Sequence, residues 1–261
     1  MEERGLDSLF FHEHSHIPVS RETPFPPGED LPREYSHTYD PFVALSAAAM
    51  VTTKIFLGTG ICLVAQRDPI HLAKQVASLD QISNGRVILG IGAGWNVEEM
   101  KNHGTLFKDR WKIMREQVLA MREIWTKDVA EFHGQFVDFD PIWSWPKPVQ
   151  KGGPKILLGS KSARSFKRIV EYCDGWAPIG GRGGEALLDE GITQLRAVCQ
   201  SAGKSFASLE LAAIEIPPDE NYADRLLKRG FEHLIFHLPS VEADLIRPML
   251  DKFAMIARRF R

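Results

Sequence analysis

The sequence predicts an α/β fold in which buried parallel strands alternate with helical crossovers, either as a closed barrel or as a doubly wound sheet. Three observations lead there. Near-continuous aliphatic runs recur near 7–12, 55–62, 86–92, 155–159, 175–179, 208–215 and 232–237, and runs of that kind are covered on both faces. Helical stretches separate them, as the connections between parallel neighbours require. A hydrophobic content of 44% in 261 residues suits one large core better than two small ones, so a single domain over 1–261 is expected.

The elements follow in order. After the first strand, residues 15–40 are rich in proline, glycine and charge and read as a long loop. Asp40-Pro41 and Asp68-Pro69 read as N-caps followed by proline at the first helical position. Leu72, Val76 and Leu79 fall at i, i+4 and i+7; Trp111, Met114, Val118 and Trp125 continue that kind of spacing, and Leu245, Met249, Phe253 and Ile256 stripe the last helix. Residues 130–153 carry aromatics and prolines and read as a folded insertion. Long loops at strand C-termini are where a barrel carries its site, so 15–40 and 130–153 are expected over it.

The formal net charge of −2 gives no basic excess for nucleic acid. No apolar run approaches the ~20 residues of a membrane span. Cys62, Cys173 and Cys199 are odd in number and far apart, which points to reduced thiols in a cytoplasmic setting.

Residues 86–96 run from an apolar strand into a glycine turn, Arg-Val-Ile-Leu-Gly-Ile-Gly-Ala-Gly-Trp-Asn. Gly90, Gly92 and Gly94 either bring bare backbone against a flat anionic cofactor or simply let the strand bend. The same two readings apply to Leu57-Gly58-Thr59-Gly60-Ile61-Cys62: a corner bend, or a second ledge against a ring. The turn Gly159-Ser160-Lys161-Ser162-Ala163-Arg164 comes just before a predicted helix. It is a phosphate seat, or Ser162 is an ordinary N-cap beside solvated cations. His12, His14 and His16 alternate around Glu13 and share one face if the strand continues that far. A His-x-His pair also begins metal sites, but the later strand ends offer only His237, so no metal is expected.

Taken together, Glu13-His14, Leu-Gly-Thr-Gly-Ile at 57–61, Asp68-Pro69 with Ala73-Lys74-Gln75, Ser-Asn-Gly-Arg at 83–86, Gly-Ile-Gly-Ala-Gly-Trp at 90–95 and Asp-Gly-Trp at 174–176 resemble the bacterial-luciferase-like superfamily. More narrowly, the ordered set is similar to its deazaflavin-dependent oxidoreductase branch. The resemblance covers essentially the whole chain. It implies a TIM barrel lacking its first strand and most of its first helix ahead of Glu3-Arg4-Gly5, with an open seam between 7–12 and 232–237. It also implies coenzyme F420, or FMN as the alternative cofactor, at the C-terminal ends of the strands.

Carried over by residue, Glu13 and His14 match an acid–histidine pair beside the ring and substrate. Gly60-Ile61 matches a non-prolyl cis peptide behind the ring. Gly92, Ala93, Gly94 and Trp95 match the turn along the ring and ribityl chain, and Gly159, Ser160, Lys161 and Ser162 match the phosphate loop. Two departures stand out: Lys161 occupies a turn that relatives build from glycines, and Trp95 stands where some deazaflavin enzymes place a glutamate, which speaks against a sugar-phosphate dehydrogenase.

The expected function is F420-dependent hydride transfer to or from a small organic substrate. Histidine titrates near neutrality, so His14 would handle the proton and Glu13 would orient it. The alternatives are an FMN-dependent monooxygenase and a non-catalytic cofactor- or partner-binding barrel. Lys161, Arg164, Lys167 and Arg182 would serve the oligoglutamate tail of F420. Phe25, Tyr35, Tyr39, Trp143 and Trp145 would give the substrate pocket apolar surface. A homodimer is also implied, with the small residues between Ala44 and Met50 allowing close helix approach.

Overall fold

The aspartate–proline pairs start helices where the sequence places them. In this computed structural model, which describes residues 1–26, 28, 30–181 and 184–260, α1 (Pro41–Met50) begins with the Asp40 carboxylate accepting from the N–H groups of Phe42 and Val43. Asp68 does the same for His71 at the start of α2 (Pro69–Ser83). Proline fits the first helical position because its missing N–H has no partner in the helix. The left-handed Asn84, at φ 55°, ends α2, and Gly85 N–H returns to Asp80 O at 2.8 Å.

Contacts group the described residues into two compact units, one of 11–53 and 59–154, the other of 1–10, 54–58 and 155–261. Strands β1 (Ser8–Phe11) and β2 (Phe56–Cys62) contribute to both.

In the first of these units β3 (Val87–Ile91) is buried at every residue, and it lies beside β2, with Gly92 N–H donating to Cys62 O at 3.0 Å. Helix α3 (Val97–Asn102) follows, then α4 (Arg110–Thr126). The insertion folds as an antiparallel hairpin of β4 (Ala130–His133) and β5 (Asp138–Ile142). Glu116 of α4 holds its turn, accepting from Phe136 and Val137 N–H at 2.6 and 3.0 Å. Beyond the hairpin, Lys74 and Gln81 of α2 reach the carbonyls of Trp145 and Lys147, so this segment packs on α2.

The other unit carries β6 (Lys155–Leu158), α5 (Ala163–Tyr172), β7 (Gly175–Trp176), α6 (Gly184–Ser201), β8 (Glu210–Ile216), α7 (Glu220–Lys228), β9 (His233–Phe236) and α8 (Ala243–Arg258). Strands β6, β7, β8 and β9 are parallel, each paired with the next in sequence. A doubly wound sheet reverses its strand order at a switch point; no reversal occurs among the described strands of this unit, as the barrel type expects. Gly175 is required for the approach of β8, since a Cβ there would lie 2.1 Å from Glu210 O.

Three local expectations change. The strand expected over 175–179 pairs continuously only at Gly175–Trp176 and resumes as a single bridge at Ile179, because the intervening Pro178 has no N–H to give a ladder. Leu245 is 61% exposed, and the stripe it was expected to begin is buried only at Phe253 and Ile256. Strand β1 ends at Phe11, so the three histidines do not share the face of a continuing strand. His12 is exposed and His14 is buried. No described helix is long and apolar enough to cross a membrane.

Candidate active site

Glu13 and His14 lie just beyond β1, after His12, and both are buried. The Glu13 carboxylate faces β2: one oxygen accepts from Leu63 N–H at 2.7 Å and the other from Arg67 Nε at 2.6 Å. Arg67 also donates to Asp40 at 2.7 Å and lies over the Phe42 ring. Burial alone would raise the Asp40 pKa, but its hydrogen bonds to Arg67 and to the Val43 and Phe42 amides, with the Arg67 charge, hold its carboxyl below the ordinary range. Burial first, and then the Glu13 charge, push the Cys62 thiol well above the ordinary range, leaving it protonated and unreactive.

His14 has a different carboxylate. Its Nδ1 lies 2.8 Å from Glu99 Oε2, and the second Glu99 oxygen accepts from Ser15 N–H at 3.2 Å. Glu99 is fully buried. Tyr35 and Trp95 flank the imidazole at ring separations of 5.3 and 5.7 Å, and Phe25 touches both of those rings. Two of the five aromatics expected around the substrate therefore stand at His14. Tyr39, Trp143 and Trp145 are exposed.

The 15–40 loop that carries Phe25 and Tyr35 is tied to α3. Glu98 accepts from Thr23 Oγ1 at 2.6 Å, from Thr23 N–H at 3.1 Å and from Glu22 N–H at 2.8 Å. These bonds, the Thr23 hydroxyl foremost, lower the Glu98 pKa to about 2. At the outer side Ser15 Oγ joins His16 Nδ1 and His103 Nε2 at 2.8 and 2.6 Å. Among the described residues no group of three or more His, Cys, Asp or Glu is gathered as a metal site.

The two glycine turns meet each other. The Gly60-Ile61 peptide is cis, as the resemblance implied. A Cβ on Gly90 would lie 2.1 Å from Thr59 O, and one on Gly92 would lie 1.9 Å from Ile61 Cδ1. The bare α-carbons of Gly90 and Gly92 thus admit β2. Gly94 takes φ +75°, the left-handed region that favours glycine, and with Ala93 it leads into Trp95. Beside this turn the side-chain N–H groups Asn96 Nδ2 and Gln66 Nε2 are buried with no acceptor; Gln66 Nε2 is 3.6 Å from where a Gly94 Cβ would sit. A buried donor left unmatched costs about 1–3 kcal/mol.

In the other unit, the turn of Gly159, Ser160, Lys161 and Ser162 gathers hydroxyls. Ser165, fully buried on α5, bonds Ser160 Oγ and Ser162 Oγ, both at 2.7 Å. Ser162 is the N-cap residue of α5 yet makes no side-chain cap. Trp176 Nε1 donates to Ser160 O at 2.7 Å. Burial lowers the Lys161 pKa, so its ammonium is partly desolvated. Arg164 and Lys167 are exposed, and Arg182 lies outside the described residues.

Sequence reasoning missed Glu99, Arg67 and Glu98. Glu99 carried a signal, since it stands three residues after Asn96, a cap at the end of a buried strand.

With strands, turns and carboxylate-held histidine in place, comparison with known proteins identifies the class. The model of the family described as luciferase-like monooxygenase matches residues 1–218, and the chain belongs to this family. An uncharacterized protein of Mycobacterium tuberculosis is 35% identical over 97% of this chain and 89% of its own length. An FMNH2-dependent dimethylsulfone monooxygenase of Pseudomonas putida is 27% identical over 62% of this chain and 45% of its own. Among solved structures, monooxygenase RslO1 from Streptomyces bottropensis superposes with TM-score 0.78 at 19% identity, covering 99% of this chain and 90% of that one. An F420-dependent secondary alcohol dehydrogenase in complex with an F420-acetone adduct gives 0.67 at 20% identity, covering 98% and 83%. These likenesses show the fold, an α/β barrel of luciferase-like type. The family neighbours include both F420-dependent and FMN-dependent enzymes.

Proposed function

We propose that the protein is a coenzyme F420-dependent oxidoreductase in which His14 gives or takes the proton that accompanies hydride transfer between the deazaflavin and a small organic substrate. The observation that carries this reading is His14 itself: a buried imidazole walled by Trp95 and Tyr35 and bonded to a buried carboxylate. A protein that only bound a cofactor would have no use for such an arrangement, which argues against the non-catalytic alternative. Asn96 Nδ2 and Gln66 Nε2, the unmatched donors beside the 92–95 turn, fit the carbonyl-bearing pyrimidine edge common to flavins and deazaflavins. Gly60, Ile61, Gly92, Ala93, Gly94 and Trp95 would hold that ring, which when bound supplies the carbon that takes or gives the hydride.

Glu13 has a supporting part in this reading. Through Leu63 N–H and Arg67 it fixes the chain that leaves β2. The substrate wall is formed by Phe25 and Tyr35, which favours a substrate with apolar surface. In the other unit, Gly159, Ser160, Lys161 and Ser162 are the anion seat, where the Ser160 and Ser162 hydroxyls and the partly desolvated Lys161 favour a phosphate.

The same anion seat separates the two cofactor readings. FMN ends at its phosphate, whereas F420 continues into an oligoglutamate tail that Arg164 and Lys167 would meet. The FMN-dependent relative in Pseudomonas putida keeps the monooxygenase reading as the alternative. Fluorescence titration with F420 and FMN at matched ionic strength, followed by a hydride-transfer assay, tests this. Tighter F420 binding with turnover is expected; equal or tighter FMN binding would move the protein to the monooxygenases. A homodimer is proposed as well, because α1 has no charged residue and exposes Val43 and Met50. A monomer mass independent of concentration in light scattering would refute it.

A further inference from the structure

The side chain that follows most directly from the structure, and that sequence did not single out, is Glu99. It occupies the third position of α3, behind the N-cap Asn96, whose Oδ1 accepts the Glu99 N–H at 3.1 Å. In a capping box the glutamate at this position reaches back to the N–H of the cap residue. Here it does not: its two oxygens are bonded to His14 Nδ1 and to Ser15 N–H. A carboxylate with no exposed surface needs donors to stay charged. Ser15 N–H is one, so the hydrogen on the other side must sit on His14 Nδ1, since an unprotonated Nδ1 would set its lone pair against a carboxylate oxygen at 2.8 Å.

We propose that Glu99 is the positioning residue of His14: it fixes the tautomer protonated on Nδ1 and thereby leaves Nε2 as the atom that exchanges a proton with the substrate. The inference rests on the reading of His14 given above and extends it to a second residue. Tyr35 and Trp95, on either side of the ring, hold its plane, so fixing Nδ1 also fixes where Nε2 points. Trp95 immediately precedes the Asn96 cap. The turn assigned to the cofactor ring and the carboxylate that orients the proton carrier are thus set by one helix start, and a shift of α3 would move both together.

The test begins without turnover. In cofactor-free protein with 15N-labelled histidine, neutral His14 should be protonated on Nδ1, and Glu99→Gln should bring in the Nε2-protonated tautomer, because an amide can donate where the carboxylate only accepts. In the loaded enzyme Glu99→Gln should lower kcat roughly 10²–10⁴-fold, the range for a general acid or base whose imidazole is held in the wrong tautomer, with KM and cofactor affinity within about twofold. In a His14→Ala background the same substitution should cost nothing further, since Glu99 acts only through His14. Neutral wild-type His14 protonated on Nε2, or additive losses in the double variant, would overturn the proposal. An unchanged rate in His14→Ala alone would instead sink the reading of His14, and it is told apart because the tautomer is read with no cofactor present.

Discussion

Thr23 gives its hydroxyl hydrogen to Glu98 Oε2 at 2.6 Å, and this bond ties the loop that carries Phe25 to the helix that carries Glu99. Glu98 has a folded-state pKa of about 2, below the ordinary carboxylate value. A depressed carboxylate contributes stability that is present above its unfolded pKa and lost as pH falls through the folded one. The tie should therefore hold at neutral pH and weaken progressively below about pH 4.5 towards pH 2. Hydrogen exchange at the Glu22 and Thr23 amides should accelerate across that window, and Thr23→Val should bring the acceleration to higher pH. Exchange that is flat with acid in both proteins would contradict the assignment.

His14→Ala should lower turnover by roughly 10²–10⁴-fold, the span for losing a general acid or base, while cofactor affinity stays within a few-fold. Steady-state kinetics beside a binding titration give both numbers. A variant that turns over normally removes His14 from the chemistry.

Glu13 acts by a different route. Glu13→Gln leaves the partly buried Arg67 with only Asp40 as a charged partner, and uncoupling a buried pair of this kind destabilises by about 3 kcal/mol. For a chain of this size the melting temperature of the cofactor-free protein should fall roughly 6–12 °C. A melting curve that stays in place would show that Leu63 N–H, and not the charge, is what Glu13 is there to satisfy.

Lys161→Ala should weaken cofactor binding roughly tenfold, as expected for losing one charge-assisted contact to an anion, with little change in rate at saturation. The pattern is the reverse of that for His14→Ala, and the same titration reads it. A loss of rate with unaltered affinity would take Lys161 out of the anion seat.

Much of the architecture was legible because local chemistry determined it. Asp40-Pro41 and Asp68-Pro69 started helices as N-cap and N1 pairs, and the strand positions fell within a few residues because buried parallel strands need continuous aliphatic runs. The partner of His14 was less legible. Glu13 is its neighbour in sequence, but adjacent residues of an extended chain face opposite ways, so the Glu13 carboxylate reached β2 while one from 85 residues away met the imidazole. Glu99 stands three residues after Asn96, and Arg67 just ahead of the Asp68 cap, but neither position names a partner. What each does depends on a distant element that spacing alone does not bring near. Gly90 and Gly92 show the same limit from the other side: the sequence left open whether they bared backbone to a ring or let the strand bend, and their α-carbons lie against Thr59 and Ile61.

Trp176 is fully buried, and its indole N–H is bonded to the carbonyl of Ser160. The emission of an indole responds to the field along that bond, so this tryptophan is a built-in optical sensor for the turn proposed to seat an anion. Inorganic phosphate or a cofactor phosphate arriving at Ser160 to Ser162 would register there before any chemistry occurs, and without a label. Trp95 beside His14 emits as well, so comparison with Trp176→Phe would assign the part of the signal that belongs to the turn.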